Sequence, residues 1–199
     1  MIGKILWLDY IKSKKNLLLK ISLPFVLVVF SYRIGYGNIA LIMILIFTVI
    51  TGSGLKIVQM KNNGLYNRLL TAPLDKKRMF LELVFIYSGL YMIQFFPTFA
   101  IGVYYDGFGI FVFSFLSLLV VILLGTLVGL HAKSFGQIHF NSLLVVLPLA
   151  AVAMMDMKLS YLFPFIYVTR SIYSVEGFLL PMGIIFGLYL LLITDVSRL

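Results

Sequence analysis

The sequence contains no cysteine, and its acidic side chains are few, with 7 Asp and Glu against 16 Lys and Arg. Without cysteine the chain can form neither disulfides nor thiolate metal sites, and it has no thiol nucleophile. The pattern G-x-x-x-x-G-K-[ST], which holds ATP phosphates in many ATPases, is also missing, because the one Gly-Lys pair is Gly3-Lys4. We therefore expect that this chain does not hydrolyse ATP by itself.

Charge of either sign is scarce: 12% of the residues are charged, 62% are hydrophobic, and the mean hydropathy is +1.08. These values lie far from those of a soluble domain. Apolar runs of about 20 residues, the length that crosses a bilayer as a helix, recur between the charge clusters. We predict an all-α membrane protein with a single domain over residues 1–199 and six transmembrane helices, at about 16–36, 38–58, 79–103, 108–130, 138–155 and 177–194.

The basic residues predict the orientation, because Lys and Arg near the ends of spans resist translocation. With a cytoplasmic N-terminus, all basic residues but Arg33, Lys158 and Arg170 fall on the cytoplasmic side. Lys20 interrupts the first span near its cytoplasmic end, where its long side chain can snorkel to the headgroups. We predict a multi-pass protein of the cell membrane with both termini in the cytoplasm. Its charge of +9 then suits membrane lipids, and no nucleic-acid partner is expected.

The first fifteen residues, "MIGKILWLDYIKSKK", carry charges throughout and lack both a clean apolar core and a small-residue cleavage site. They do not resemble a signal peptide. We interpret residues 1–15 as an interfacial helix on the cytoplasmic face, anchored by Trp7 and Tyr10. The alternative is an extension of the first span.

Residues 59–80, "QMKNNGLYNRLLTAPLDKKRMF", interrupt the apolar sequence with a cluster of charges. Pro73 lacks a backbone N–H and restricts Ala72, so a helix should end near Thr71, and Asp75 suits the N-cap of the third span. Residues 63–71 are therefore predicted to form a short amphipathic helix that docks a cytoplasmic partner. The alternative is a basic loop on the headgroups. Its apolar arc contains Leu65, Tyr66, Leu69 and Leu70, and its polar arc contains Asn63, Gly64, Asn67, Arg68 and Thr71.

This order of elements, with "GLYNRLLTAPL" leading directly into the third span, resembles the type-2 permease family, the membrane subunits of ATP-binding-cassette exporters. The resemblance covers the whole chain in topology, and its most specific motif runs from Gly64 to Pro73. The sequence departs from the family at residues 61–63, "KNN", where the family carries acidic residues. The resemblance implies a coupling helix that docks on the ATPase through Gly64, Leu65, Tyr66, Asn67, Arg68, Leu69, Leu70 and Pro73, of which Arg68, Leu69, Leu70 and Pro73 match best.

The resemblance also implies how the chain would work. It would be the permease subunit of an ATP-driven exporter, paired with a second copy or a similar permease and with two cytoplasmic ATPase subunits that bind ATP and Mg²⁺. The chain itself would bind no cofactor or metal and would hold no catalytic residue. The cargo would be amphiphilic or hydrophobic, such as a lipid, peptide or drug. Its path would lie between the first, second and fifth helices of two protomers, with Phe25, Phe30, Ile44, Phe47, Val145 and Met154 as candidates, although core packing explains these residues equally well.

The aromatic segment 157–173, "MKLSYLFPFIYVTRSIY", is broken at Pro164 and is too short to cross a membrane twice. It resembles the re-entrant helices that follow the fifth span in this family. The alternative is an outer interfacial loop with an aromatic belt. Within the fifth span, Pro148 predicts a kink.

Two other functions have some support in the sequence. The stretch "TGSGLK" (51–56) is similar to the Gly-x-Ser-Gly of rhomboid proteases, with His131 or His139 as a base. Ser53 lies at the cytoplasmic end of its span, however, which favours close helix packing by small residues. The two histidines lack a carboxylate, and we expect them to be solvated loop residues. The main alternative to an exporter is the substrate-binding subunit of an energy-coupling-factor vitamin importer, which would bind a vitamin near the outer face.

Overall fold

The structure, a computed structural model of the chain, describes residues 14–64, 76–155 and 158–198. These residues form helices and contain no strand. The predicted interfacial helix over 1–15 falls almost wholly outside the described residues, and so does the coupling helix after Gly64. In chain order the helices are α1 (Lys14–Arg33), α2 (Gly37–Asn62), α3 (Lys76–Asp106), α4 (Phe108–His131), α5 (Phe135–Met154), a 3-10 helix (Lys158–Leu162), α6 (Pro164–Thr169) and α7 (Val175–Arg198).

The six long helices occupy the positions of the six predicted spans. Five of them are long and apolar enough to cross a membrane, which makes the chain an all-α, multi-pass membrane protein. The helix α1 is not among these five, which are found among the residues whose side chains the structure describes, so a sixth span remains a prediction. The five candidate spans are Gly37–Asn62, Glu82–Asp106, Phe108–His131, Phe135–Met154 and Gly177–Asp195.

The helix α4 lies at the centre of the bundle, in contact with α2, α3, α6 and α7. Of the apolar stretch of α4, 67% is buried inside the protein. The corresponding share for α7, which lies at the periphery, is 17%. Since α4 is also the most apolar of the five candidate spans, its burial follows from its composition. The helix α5 continues through Pro148 to Met154 without interruption. The kink at Pro148 stays a prediction.

The closest helix contact joins α2 to α4 through small residues. A Cβ atom on Gly129 would lie 2.8 Å from the carbonyl oxygen of Gly54, and one on Gly125 would overlap the hydroxyl of Ser53. Gly125 and Gly129 have the G-x-x-x-G spacing that lets helix backbones approach in membranes. The side chain of Ser53 is fully buried, and its Oγ donates to the Val49 carbonyl at 2.7 Å. This close contact agrees with the packing interpretation of residues 51–56.

The predicted re-entrant segment contains the 3-10 helix and α6. Pro164 is in the first turn of α6, where its missing N–H costs nothing. Phe165, Ile166 and Val168 are fully buried against α2, α4 and α5. The Thr169 hydroxyl donates to the Ala153 carbonyl at 3.0 Å, which ties α6 to the end of α5. Thus α6 packs inside the bundle, and its re-entry into a membrane stays a prediction.

We call the two ends of the bundle the Asp106 end and the Lys61 end. At the Asp106 end, α3 finishes and α4 begins after the single residue Gly107, whose φ of 82° favours glycine. At the Lys61 end, α2 and α4 finish and α5 begins. In the predicted topology the Asp106 end faces outward and the Lys61 end faces the cytoplasm.

Candidate functional site

The predicted docking motif begins where α2 ends. The backbone N–H of Gly64 donates to the Lys61 carbonyl at 3.1 Å, and Gly64 has a φ of 66°. Glycine with a positive φ is the usual residue just after a helix C-terminus. The rest of the motif, from Leu65 to Pro73, lies outside the described residues, and α3 has begun by Lys76. The first glycine of the motif therefore lies in the turn that ends α2.

Lys61 binds the end of α4. Its Nζ donates to the carbonyl oxygens of Gly129 at 3.1 Å, of Ala132 at 3.2 Å and of Leu130. Carbonyls in the last turn of a helix lack an intrahelical donor, and a cation there interacts favourably with the helix dipole. Lys61 stands where the resembled family carries acidic residues, so this departure has an intramolecular role that sequence reasoning missed.

His131 has a carboxylate partner, contrary to the prediction. It is the last residue of α4, and its Nε2 lies 3.3 Å from Asp195 Oδ2 in α7. Its Nδ1 lies 3.0 Å from the Leu127 carbonyl oxygen. That oxygen can only accept, so a full ion pair with Asp195 needs the doubly protonated ring. The prediction for His139 was also wrong in part, because this exposed residue belongs to α5 and not to a loop.

The pair His131–Asp195 supplies two side chains that could ligate a metal. No group of three or more His, Asp or Glu residues that could hold a metal occurs within the described part of the chain. Two ligands with one exposed ring are too few for a structural zinc site. Lys61, His131 and Asp195 instead join the ends of α2, α4 and α7, and we call these three residues the Lys61 clamp.

Four polar side chains join the helices at the opposite end, and we call them the Asp106 cluster. The Tyr32 hydroxyl donates to Asn38 Oδ1, and Asn38 Nδ2 donates to Ser171 Oγ at 2.9 Å. Ser171 Oγ donates in turn to Asp106 Oδ1 at 3.5 Å. The cluster thus links α1, α2, α3 and the turn after α6 through one chain of hydrogen bonds.

A polar pocket of about 340 Å³ opens beside the Asp106 cluster, with Tyr105 and Arg170 in its wall. The Tyr105 ring stacks on Tyr32 with centroids 4.7 Å apart. Asp106 Oδ2 is buried, and none of the described residues donates a hydrogen bond to it. Ser171 has a φ of 54°, a conformation that costs a residue other than glycine some energy. Strained backbone clusters at functional sites, and a buried acceptor without a donor can be satisfied by a water or a ligand.

The electrostatics of this pocket extend to Tyr173 in the loop before α7. Burial raises the pKa of Tyr173, and the nearby Asp106 side chain raises it further. The Tyr173 phenol therefore stays neutral.

Among the described residues, two candidates of the substrate path line different grooves. Phe25 lines a groove between α1 and α3 together with Pro97 and Tyr104, whereas Phe47 lines a different groove nearer the Lys61 end. Phe30 and Met154 are more than half exposed, and Ile44 and Val145 are half-buried against the core.

The groove that contains Phe47 lies between α1, α2 and α3 and has a volume of about 590 Å³. We call it the basic groove, because Lys20 and Lys56 are the charged residues in the described part of its wall. Its polar lining also includes Thr48, Thr51, Gln59, Tyr91 and Gln94, and its apolar lining includes Leu19, Leu23, Pro24, Phe47 and Leu55.

Comparisons of the chain with protein-family models, with curated proteins and with solved structures found no match. The class that the fold defines is a multi-pass α-helical membrane protein with a short buried helix between its last two long helices.

Proposed function

We propose that this chain is the membrane-spanning permease subunit of an ATP-driven exporter of the type-2 kind. It moves an amphiphilic or hydrophobic substrate, such as a lipid, peptide or drug, by alternating access that a separate ATPase powers. The observation that carries the proposal is the helix order. Two long helices precede a turn at Gly64, a third follows the "GLYNRLLTAP" motif, and the short buried helix α6 separates α5 from α7.

The Lys61 clamp supports this proposal because it gives the docking motif a connection to the rest of the bundle. Lys61 lies three residues before Gly64, and its ammonium group holds the last carbonyls of α4. His131 then links α4 to Asp195 of α7. A force on the coupling helix 63–71 would reach α2 directly and would reach α4 and α7 through these contacts.

The proposed assembly contains two permeases and two ATPases in the cell membrane. All six long helices cross the bilayer, and both termini face the cytoplasm. The substrate path lies between the first, second and fifth helices of the two permeases. The exposure of Phe30 and Met154, 64% and 52% within one chain, is what side chains facing a partner or a path would show.

Purification from native membranes tests the assembly. A tagged chain extracted in mild detergent should elute as a pair of permeases bound to two copies of a protein with a G-x-x-x-x-G-K-[ST] motif. Mass photometry gives the stoichiometry, and peptide sequencing identifies the partner. A chain that elutes alone, in a detergent that preserves its helix content, contradicts the proposal.

The pocket beside the Asp106 cluster favours a second candidate, the substrate-binding subunit of an energy-coupling-factor importer. Such a subunit needs a polar pocket near the outer face, and this pocket has a buried acceptor in Asp106 Oδ2. A monomer that binds a vitamin tightly, and loses that binding on Asp106→Asn, would favour this candidate. An exporter subunit should show no such binding.

A further inference from the structure

Three of the described helices end at the pocket beside the Asp106 cluster. The helix α1 ends at Arg33, α3 ends at Asp106 and α6 ends at Thr169, and residues at or next to each end lie in the pocket wall. The last carbonyl groups of a helix lack intrahelical donors and carry a partial negative charge. The helix α2 begins at the same pocket with the opposite polarity. Three negative helix ends therefore stand against one positive end.

Asp106 is the acidic residue in the described wall of this pocket. Ser171 Oγ donates to Asp106 Oδ1 at the long distance of 3.5 Å, and none of the described residues donates to the buried Oδ2. Arg170 shares the wall but interacts with another group, and it forms no ion pair with Asp106 in the described part of the chain. A carboxylate can accept about four hydrogen bonds. Asp106 thus keeps most of its acceptor capacity for a donor that enters the pocket.

Tyrosine rings lie in the same wall. The Tyr105 ring stacks on the Tyr32 ring with centroids 4.7 Å apart, and Tyr105 and Tyr36 are 53% and 61% exposed. The Tyr32 ring packs so closely against Gly37 that a Cβ atom on residue 37 would overlap it. This contact holds the stacked pair in place. Because a cation within about 6 Å of a ring centroid is attracted to the ring face, the wall offers a cation both a carboxylate and aromatic surface.

We propose that this pocket binds the ammonium group of a small organic cation, which donates to Asp106 and packs its carbon atoms against the Tyr105 and Tyr36 rings. The pocket volume of about 340 Å³ exceeds the space of a single metal ion, so room remains for an organic group beside the charge. A bound cation would join α1, α2, α3 and the turn after α6, the elements that already share the Asp106 cluster. The site requires neither an ATPase nor an exported cargo, and it therefore stands independently of the exporter proposal.

The affinity of this site should be weak, on the order of millimolar, because one charge-assisted hydrogen bond and one ring contact stabilise the complex. Weak binding of simple amines differs from the tight binding of a vitamin that the substrate-binding subunit of an importer would show. A polar cluster that only joins helices would bind an amine no better than a neutral molecule of the same shape. The charge of the ligand is therefore the property to vary.

A ligand-observed NMR titration tests the site. The probes are benzylamine, which is a cation at neutral pH, and benzyl alcohol, its uncharged counterpart of nearly the same size. The chain is used as purified from membranes, in an uncharged maltoside detergent at low salt. Empty micelles are the blank, because both probes also enter micelles. Benzylamine should bind at least about tenfold more tightly than benzyl alcohol.

Two pairs of variants locate the bound amine. Asp106→Asn keeps the shape of the side chain but removes the carboxylate, and it should lower the affinity for benzylamine about tenfold or more. Asp195→Asn is the matched control, because it removes a carboxylate from the Lys61 end. Tyr105→Leu should lower the affinity about threefold through the loss of a ring contact, whereas Tyr104→Leu, outside the pocket wall, should leave it unchanged. Circular dichroism confirms that each variant keeps its helix content, and the second pair tests the site even if Asp106→Asn does not fold.

Three results would overturn the proposal. The first is equal affinity for benzylamine and benzyl alcohol, because the site would then recognise a ring and not a charge. The second is a folded Asp106→Asn or Tyr105→Leu variant that binds benzylamine as well as its control does. The third is full displacement of benzylamine by sodium ions at an equal concentration, because the site would then recognise an inorganic cation.

Discussion

The two ends of the bundle are held together by different chemistry. At the Lys61 end, one ammonium group binds three carbonyl oxygens, and one histidine meets one carboxylate. At the Asp106 end, four side chains share a relay of hydrogen bonds in which Asp106 is the one acidic residue. At the Lys61 end, the helices are thus joined by a few charged groups. At the Asp106 end, they are joined by several weaker hydrogen bonds.

This difference fits an end that moves and an end that stays closed. The contact between Lys61 and the end of α4 depends on one side chain. The docking of a partner on the neighbouring motif could therefore break it in one step. A relay across α1, α2, α3 and the turn after α6 must lose several bonds before the helices can separate. Under the proposed function, the Lys61 end would be the side that receives force from the ATPase, and the Asp106 end would stay closed.

The strongest test of this comparison asks whether the two ends lie on opposite sides of the membrane. The chain has no cysteine, so single cysteines can be added without further changes. Asn62→Cys and Tyr36→Cys replace exposed residues at the Lys61 end and the Asp106 end. In intact cells, a membrane-impermeant maleimide should label Tyr36→Cys and leave Asn62→Cys unmodified until the membrane is broken. The opposite labelling pattern would invert the topology and remove the basis for an ATPase at the Lys61 end.

Of the substitutions that remove a contact between helices, Lys61→Met should cause the largest loss of stability. The substitution keeps the apolar length of the side chain but removes its charge-assisted bonds to α4, which costs about 2 kcal/mol. For a chain of this size that corresponds to an unfolding midpoint lower by about 5 °C, measured by thermal denaturation in detergent. Lys133→Met removes the same charge from a neighbouring loop and should leave the midpoint within about 1 °C. Equal midpoints for the two variants would show that the clamp carries no stability.

Tyr32→Phe should have a smaller effect at the Asp106 end. It removes one hydroxyl from the relay, and a neutral hydrogen bond contributes about 1 kcal/mol. Tyr104→Phe is the control, because Tyr104 is 83% exposed and stands outside the relay. The same thermal measurement should rank Tyr32→Phe between Lys61→Met and Tyr104→Phe. If Tyr32→Phe lowered the unfolding midpoint more than Lys61→Met does, the Asp106 end would contribute more stability than the Lys61 end.

Asp195→Asn should have the smallest effect. The His131 ring is 65% exposed, and an exposed ion pair contributes at most about 1 kcal/mol. Because salt screens exposed charges, the difference between the wild type and this variant should shrink toward zero in about 1 M NaCl. A difference that persists in high salt would mean that packing of the Asp195 side chain, and not its charge, supports α7.

The sequence was sufficient to locate the long helices, because each is an apolar run bounded by charges or by glycine. It also located the break at Pro164, since proline restricts the chain locally. It could not reveal the partners of Lys61, which are 68 to 71 residues away along the chain. Those contacts depend on where α2 and α4 end relative to each other in space. The same limit explains why His131 was predicted to lack a carboxylate, for Asp195 lies in the last helix.

The measurement that most directly tests the central claim is ATPase binding by two variants of the coupling helix. In the predicted arcs, Arg68 belongs to the polar side that meets the ATPase, and Leu69 to the apolar side that packs on the membrane domain. Leu69→Asp places a charge in a packed site and should cause loss of folded protein or of assembly. Arg68→Glu should leave the membrane domain folded but lower ATPase affinity about tenfold to a hundredfold, because it removes a charge-assisted contact.

The readout is co-purification of the ATPase with each variant, together with substrate-stimulated ATP hydrolysis in liposomes. Arg33→Glu reverses a basic charge at the Asp106 end and serves as the control, which should bind the ATPase as the wild type does. Reduced ATPase binding and reduced coupling by folded Arg68→Glu protein is the predicted result. Full binding and full coupling by Arg68→Glu would contradict the account and favour a basic loop on the headgroups.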